Sequence, residues 1–117
     1  MNLATGDRAW YTPPAAPVCA KGPGCSAAQS AAVTAIPGVV FSGAADGAVR
    51  AYDSDTGAIL WTFDTNRSFD TVNGVPANGG AIDGPGPIVA DGMLFASSGY
   101  VSLIGRPGNV LLAFGVN

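Results

Sequence analysis

Few residues in this chain of 117 could do chemistry, and their types are restrictive. All eight acidic residues are Asp, the basic residues are Arg8, Lys21, Arg50, Arg67 and Arg106, and His is absent. Without imidazole the chain alone cannot assemble a Ser-His-Asp or Cys-His triad, a His-zinc centre or a His-ligated haem. Glu is absent too, so the EF-hand pattern, which ends on Glu, has no match. Asp53 and Asp55 stand close together in a turn, where local hydrogen bonding accounts for them, and no metal site within the chain is expected. The five cations are scattered over a net charge of −3 and give nucleic acid or an anionic membrane no basic stripe to bind. No apolar run approaches the ~20 residues of a membrane helix, and residues 1–10 lack the charged and apolar regions of a secretory leader. Cys19 and Cys25 flank Ala-Lys-Gly-Pro-Gly, a loop that can close as a disulfide in an oxidising compartment or carry two free thiols.

The elements that must position these residues are strands. With 17 Gly, 9 Pro and one Lys, the composition disfavours a helical bundle, while 48% hydrophobic residues against 11% charged argue for a packed core rather than disorder. A repeat organises the chain. Asp53-x-x-Thr56-Gly57-x-x-x-Trp61 recurs as Asn2-x-x-Thr5-Gly6-x-x-x-Trp10, at an offset of 51. Gly38-Val39-Val40-Phe41-Ser42 pairs with Gly92-Met93-Leu94-Phe95-Ala96, and Val49-Arg50-Ala51-Tyr52 with Leu111-Leu112-Ala113-Phe114, at offsets of 54 and 62. In the central copy the turn signals Pro37-Gly38, Asp46-Gly47 and Thr56-Gly57 divide strands expected at 31–36, 39–43, 48–53 and 58–63. Along the fourth, Ile59, Trp61 and Phe63 alternate with Leu60 and Thr62. The last copy predicts strands at 86–90, 93–97 and 109–116, and Ser26-Ala27-Ala28-Gln29 at most one helical turn. Four strands per repeat is the period of a propeller blade, so the expected fold is all-β, a partial β-propeller of about two four-stranded antiparallel blades. Its parts are the end of a preceding blade at 1–12, a complete blade at 31–64 and a three-stranded final blade at 85–117.

The run Ala51-x-Asp53-x-x-Thr56-Gly57-x-x-x-Trp61 resembles the tryptophan-docking motif of quinoprotein β-propellers, which use pyrroloquinoline quinone (PQQ). In that reading Ala51 and Gly57 leave room for a stacked indole and Asp53 holds the turn. Phe63-Asp64-Thr65, Val72-Asn73-Gly74, Gly79-Gly80, Ser98-Gly99-Tyr100 and the run Pro107 to Phe114 narrow the resemblance to the C-terminal end of polyvinyl-alcohol dehydrogenase-like quinoproteins. It covers essentially the whole chain, but only about two of the eight blades such enzymes have. The resemblance implies a periplasmic or secreted enzyme with PQQ and Ca²⁺ as cofactors, whose other blades complete the ring and whose electrons pass to cytochrome c. The family's calcium ligands and catalytic Asp belong to blades absent here, so the chain alone is expected to be inactive. The competing reading is a non-enzymatic propeller scaffold that binds protein partners in the cell envelope.

Blade order puts the long loops, 12–30, 65–84 and 98–108, on one face around the funnel mouth. PQQ carries three carboxylates, so the resemblance makes Arg67 and Arg106 candidate anchors, with Asn73 a hydrogen-bonding group, Gly79 and Gly80 points of close approach, and Tyr100 a funnel wall. Against this stands the plainer reading of solvated arginines, an Asn73-Gly74 turn and a Tyr100 packed between blades.

Overall fold

In a computed structural model, residues 1–100 and 105–116 are described. They hold nine strands and no helix: β1 Thr34–Ile36, β2 Val39–Gly43, β3 Ala48–Asp53, β4 Ile59–Asp64, β5 Ser68–Phe69, β6 Ala77–Asn78, β7 Ile88–Ala90, β8 Met93–Ser98 and β9 Val110–Phe114. Strands β1–β4 form a four-stranded antiparallel sheet, β5–β6 a two-stranded ladder and β7–β9 a three-stranded sheet, each in sequential order. This all-β arrangement is that of a partial β-propeller.

Local chemistry explains most boundaries. Gly38, Gly47 and Gly57 all take positive φ at the three turns of the first sheet, where residues with a Cβ are disfavoured. The register between β3 and β4 slips at Ala51/Tyr52, so Tyr52 faces Ile59 while Ala51 faces Trp61. That bulge interrupts the strict alternation expected along β4. The ladder β5–β6 was not anticipated, because two residues per strand carry no periodicity. The single helical turn that the sequence at most allows at Ser26–Gln29 does not form. Instead the Ser26 hydroxyl accepts a bond from the Ala28 N–H at 3.2 Å, a side-chain turn that competes with helix.

The core lies between the two larger sheets. Val49 of the first sheet meets Leu94 and Ala96 of the third, with Ile82 from the intervening loop and Ala31 closing the cluster, and Phe41, Val89 and Phe114 packed around it. The other face of the first sheet is covered by residues 10–29, which contain no strand.

Candidate functional site

The 53–57 turn is built by one side chain. The Asp53 carboxylate accepts the Asp55 and Thr56 N–H groups, both at 2.8 Å, and the Gly57 N–H returns to the Asp53 carbonyl at 2.9 Å. The N–H bonds of Thr56 and Asp55 hold the Asp53 pKa below the ordinary carboxylate value. Across this turn lies an indole, but it belongs to Trp10. A Cβ on Gly57 would strike the Trp10 ring and the Thr12 hydroxyl. The Trp10 Nε1–H donates to the Ser54 carbonyl at 2.8 Å, and the Thr12 hydroxyl donates to the Gly57 carbonyl. The 53–57 turn thus receives the tryptophan of the preceding copy of the repeat. Trp61 sits one blade on, stacked near Phe63 at 5.8 Å between centroids and edge-on to Phe114 at 5.3 Å.

The three long loops converge. The Ala81 N–H donates to the Arg106 carbonyl, the Gly99 N–H to the Ala81 carbonyl and the Asn109 N–H to the Asn78 carbonyl, each at 2.8 Å. Cys19 and Cys25 are joined in a disulfide, and the Arg106 guanidinium reaches its loop, donating to the Ala20 carbonyl at 2.7 Å. Gly79 and Gly80 allow close approach, and what approaches is this chain's own backbone. A Cβ on Gly79 would overlap the Thr65 carbonyl oxygen, and one on Gly80 that of Arg106. Beneath them the buried Thr65 and Ser98 hydroxyls lie 2.6 Å apart, Thr65 donating to the Gly47 carbonyl and Ser98 accepting the Gly80 N–H at 2.8 Å.

Asn73 folds its side-chain oxygen into its own turn, accepting the Thr71 hydroxyl at 2.6 Å and the Val75 N–H at 3.2 Å. Arg67 lies over the rings of Phe63 and Phe69, 4.8 and 5.2 Å from their centroids. Tyr100 is 60% exposed, and residues 101–104 of its loop lie outside the described residues. Among the described residues the six candidates share one system of loops. Arg106, Gly79 and Gly80 hold the loops together, and Asn73 shapes its own turn. Arg67 and Tyr100 retain exposed polar groups.

Sequence reasoning missed the ion pair under the 10–29 segment. Arg50, 2% exposed, donates to Asp46, fully buried, at 2.6 and 3.4 Å. The same carboxylate accepts the Ala48 N–H at 2.9 Å and the Val18 N–H at 3.1 Å. Burial pushes the Asp46 pKa up, but the bond from Arg50 and those from Ala48 and Val18 outweigh it, and the net shift is downward. The available signal was a charge inside Ala-Val-Arg-Ala-Tyr, a run whose other members are apolar or aromatic.

No family model and no solved structure matches the chain. Among curated proteins, it is 47% identical over 102 residues to a polyvinylalcohol dehydrogenase of a Pseudomonas species. It is 42% identical over 103 residues to a polyvinylalcohol dehydrogenase of Sphingopyxis sp. strain 113P3. Each match takes in 80% of this chain and 16% of the relative, so the chain spans about one sixth of their length. Among the described residues no helix is long and apolar enough to cross a membrane. The chain is similar to a C-terminal fragment of these polyvinylalcohol dehydrogenases.

Proposed function

We propose that this chain supplies two blades of a PQQ-dependent alcohol dehydrogenase acting on polymeric alcohols, in an oxidising compartment outside the cytoplasm. The observation that carries this reading is the 47% identity over 102 residues to a protein named for that activity. The disulfide agrees with the compartment. In such an enzyme bound PQQ would supply a hydride acceptor for the alcohol, Ca²⁺ a Lewis acid, and cytochrome c an outlet for the electrons. This chain's part is positional. Arg106 and the seam at Gly79 and Gly80 fix the loop face, and Arg67 and Tyr100 present a cation and a phenol to whatever enters beside them.

The test is a chimera in which these residues replace the matching stretch of the Pseudomonas relative. It is expected to retain PQQ-dependent oxidation of polyvinyl alcohol, whereas the chain of 117 alone gives no PQQ-dependent dye reduction. A folded chimera that binds no PQQ overturns the reading.

A further inference from the structure

The loop that Cys19 and Cys25 close has little else to shape it. The two cysteines are 6 apart in sequence. Among the described residues, the one backbone bond within the loop runs from the Cys25 N–H to the Gly22 carbonyl at 3.2 Å. Inside it Gly22 and Gly24 take φ of 146° and 75°, and glycines in an open chain populate many other conformations. The S–S bond is therefore what fixes where Ala20 and Gly24 stand.

Both of those residues meet the 105–106 backbone or its side chain. The Arg106 guanidinium donates to the Ala20 carbonyl at 2.7 Å. A Cβ on Gly24 would lie 3.0 Å from the Gly105 carbonyl carbon and 3.2 Å from the Arg106 nitrogen, so the loop is seated directly on that backbone. The other side of Arg106 belongs to the glycine seam. Its carbonyl accepts the N–H of buried Ala81 at 2.8 Å, and the Ala81 carbonyl accepts the Gly99 N–H, also at 2.8 Å. A continuous path thus runs from the cystine through Ala20, Arg106 and Ala81 to Gly99, and all of it lies within residues 19–106.

We propose that the cystine is a redox-sensitive strut whose state sets the position of the loop face at Ala81 and Gly99. Oxidised, it holds Ala20 against Arg106, and Arg106 against Ala81. Reduction is thiol–disulfide exchange with a dithiol. One thiolate of the dithiol attacks a cystine sulfur, and its second thiolate then breaks the mixed disulfide. The dithiol leaves as a disulfide, and two electrons and two protons end on Cys19 and Cys25. Both cysteines are partly exposed, which gives the attacking thiolate access. The opened loop no longer presents the Ala20 carbonyl to the guanidinium, and Arg106 loses its support on that side. The Ala81 and Gly99 bonds on the other side then lengthen. The loop, closed or open, is the two-state element that carries the coupling. The coupling is a property of the loops themselves and holds whatever they bind.

The test is amide-resolved NMR on the isotope-labelled chain, oxidised, reduced with dithiothreitol and then reoxidised. On reduction the Ala81 and Gly99 amide protons are expected to move upfield, as their bonds to the Arg106 and Ala81 carbonyls lengthen, and to return on reoxidation. Val49 and Ala51 of β3 are expected to stay in place. Arg106→Gln removes the guanidinium bond to Ala20 but keeps the backbone carbonyl that Ala81 uses, and Arg106 is only partly buried, so the fold is retained. Its response to dithiothreitol at Ala81 and Gly99 is expected to be at most about half of the parent's. Ala81 and Gly99 resonances that ignore reduction, or a response undiminished in Arg106→Gln, overturn the proposal. So does a reduced chain in which the β3 resonances move as well, since the cystine would then support the whole fold rather than this path.

Discussion

Asp46 and Arg50 carry the largest single-residue stake in stability. A buried pair is a poor net stabiliser, but a pair missing one member leaves a charge in an apolar site. Asp46→Asn is therefore expected to lower unfolding free energy by about 3–5 kcal/mol in urea titrations, with Arg50→Met similar. The pH dependence has a definite sign. Asp46 and Asp53 both have depressed folded pKa values, so their contribution is complete above the ordinary carboxylate range, about 4, and is lost as pH falls through the depressed values. The urea midpoint should drop on acidification below that range, and Asp46→Asn should flatten the drop; equal slopes in both proteins would remove Asp46 as the cause. The sequence marked this pair only by a charge set among apolar residues. Arg50 reads as a surface charge until the 10–29 segment is laid over it, and that segment has no periodicity to announce its path.

At the scale of elements, the strands were largely legible because each is bounded by a turn that demands a particular backbone. Pro37-Gly38, Asp46-Gly47 and Thr56-Gly57 mark the connections observed between β1 and β4. The loops were legible as long and co-facial, but not in what they do with their polar groups. Asn73 accepts a hydroxyl and an N–H of its own turn and Arg106 donates to the distant Ala20 carbonyl, choices set by chain path rather than residue type. The glycine seam gives a direct test. Gly79→Ala must displace the Thr65 carbonyl, and is expected to cost about 1–3 kcal/mol, the range for overpacking, measured by the same urea titration. Replacing both Cys19 and Cys25 with Ser should cost about 2 kcal/mol through the loop entropy returned to the unfolded chain. An unchanged midpoint in that variant would mean Arg106 alone holds the loop.

For the whole molecule, the first 32 residues are the informative part. They form no strand, yet span the first sheet through contacts far apart in sequence: Trp10 to Ser54, Val18 to Asp46, Ala28 to Ala45 and Ala20 to Arg106. Such an arm depends on side-chain anchors instead of a ladder and opens at lower cost than the sheet beneath it. Native-state hydrogen exchange should find amides of residues 10–29 exchanging well before those of β3, and a uniform rate across both would show the arm to be one cooperative unit with the sheet. The cystine sits within that arm, with exposed Lys21 between its halves. Trypsin cutting after Lys21 would leave one molecule of two polypeptides, heavier by one water and the same size in solution. Only a reductant would release the fragments, so the gel of a nicked sample run with and without thiol reports the oxidation state of the two sulfurs.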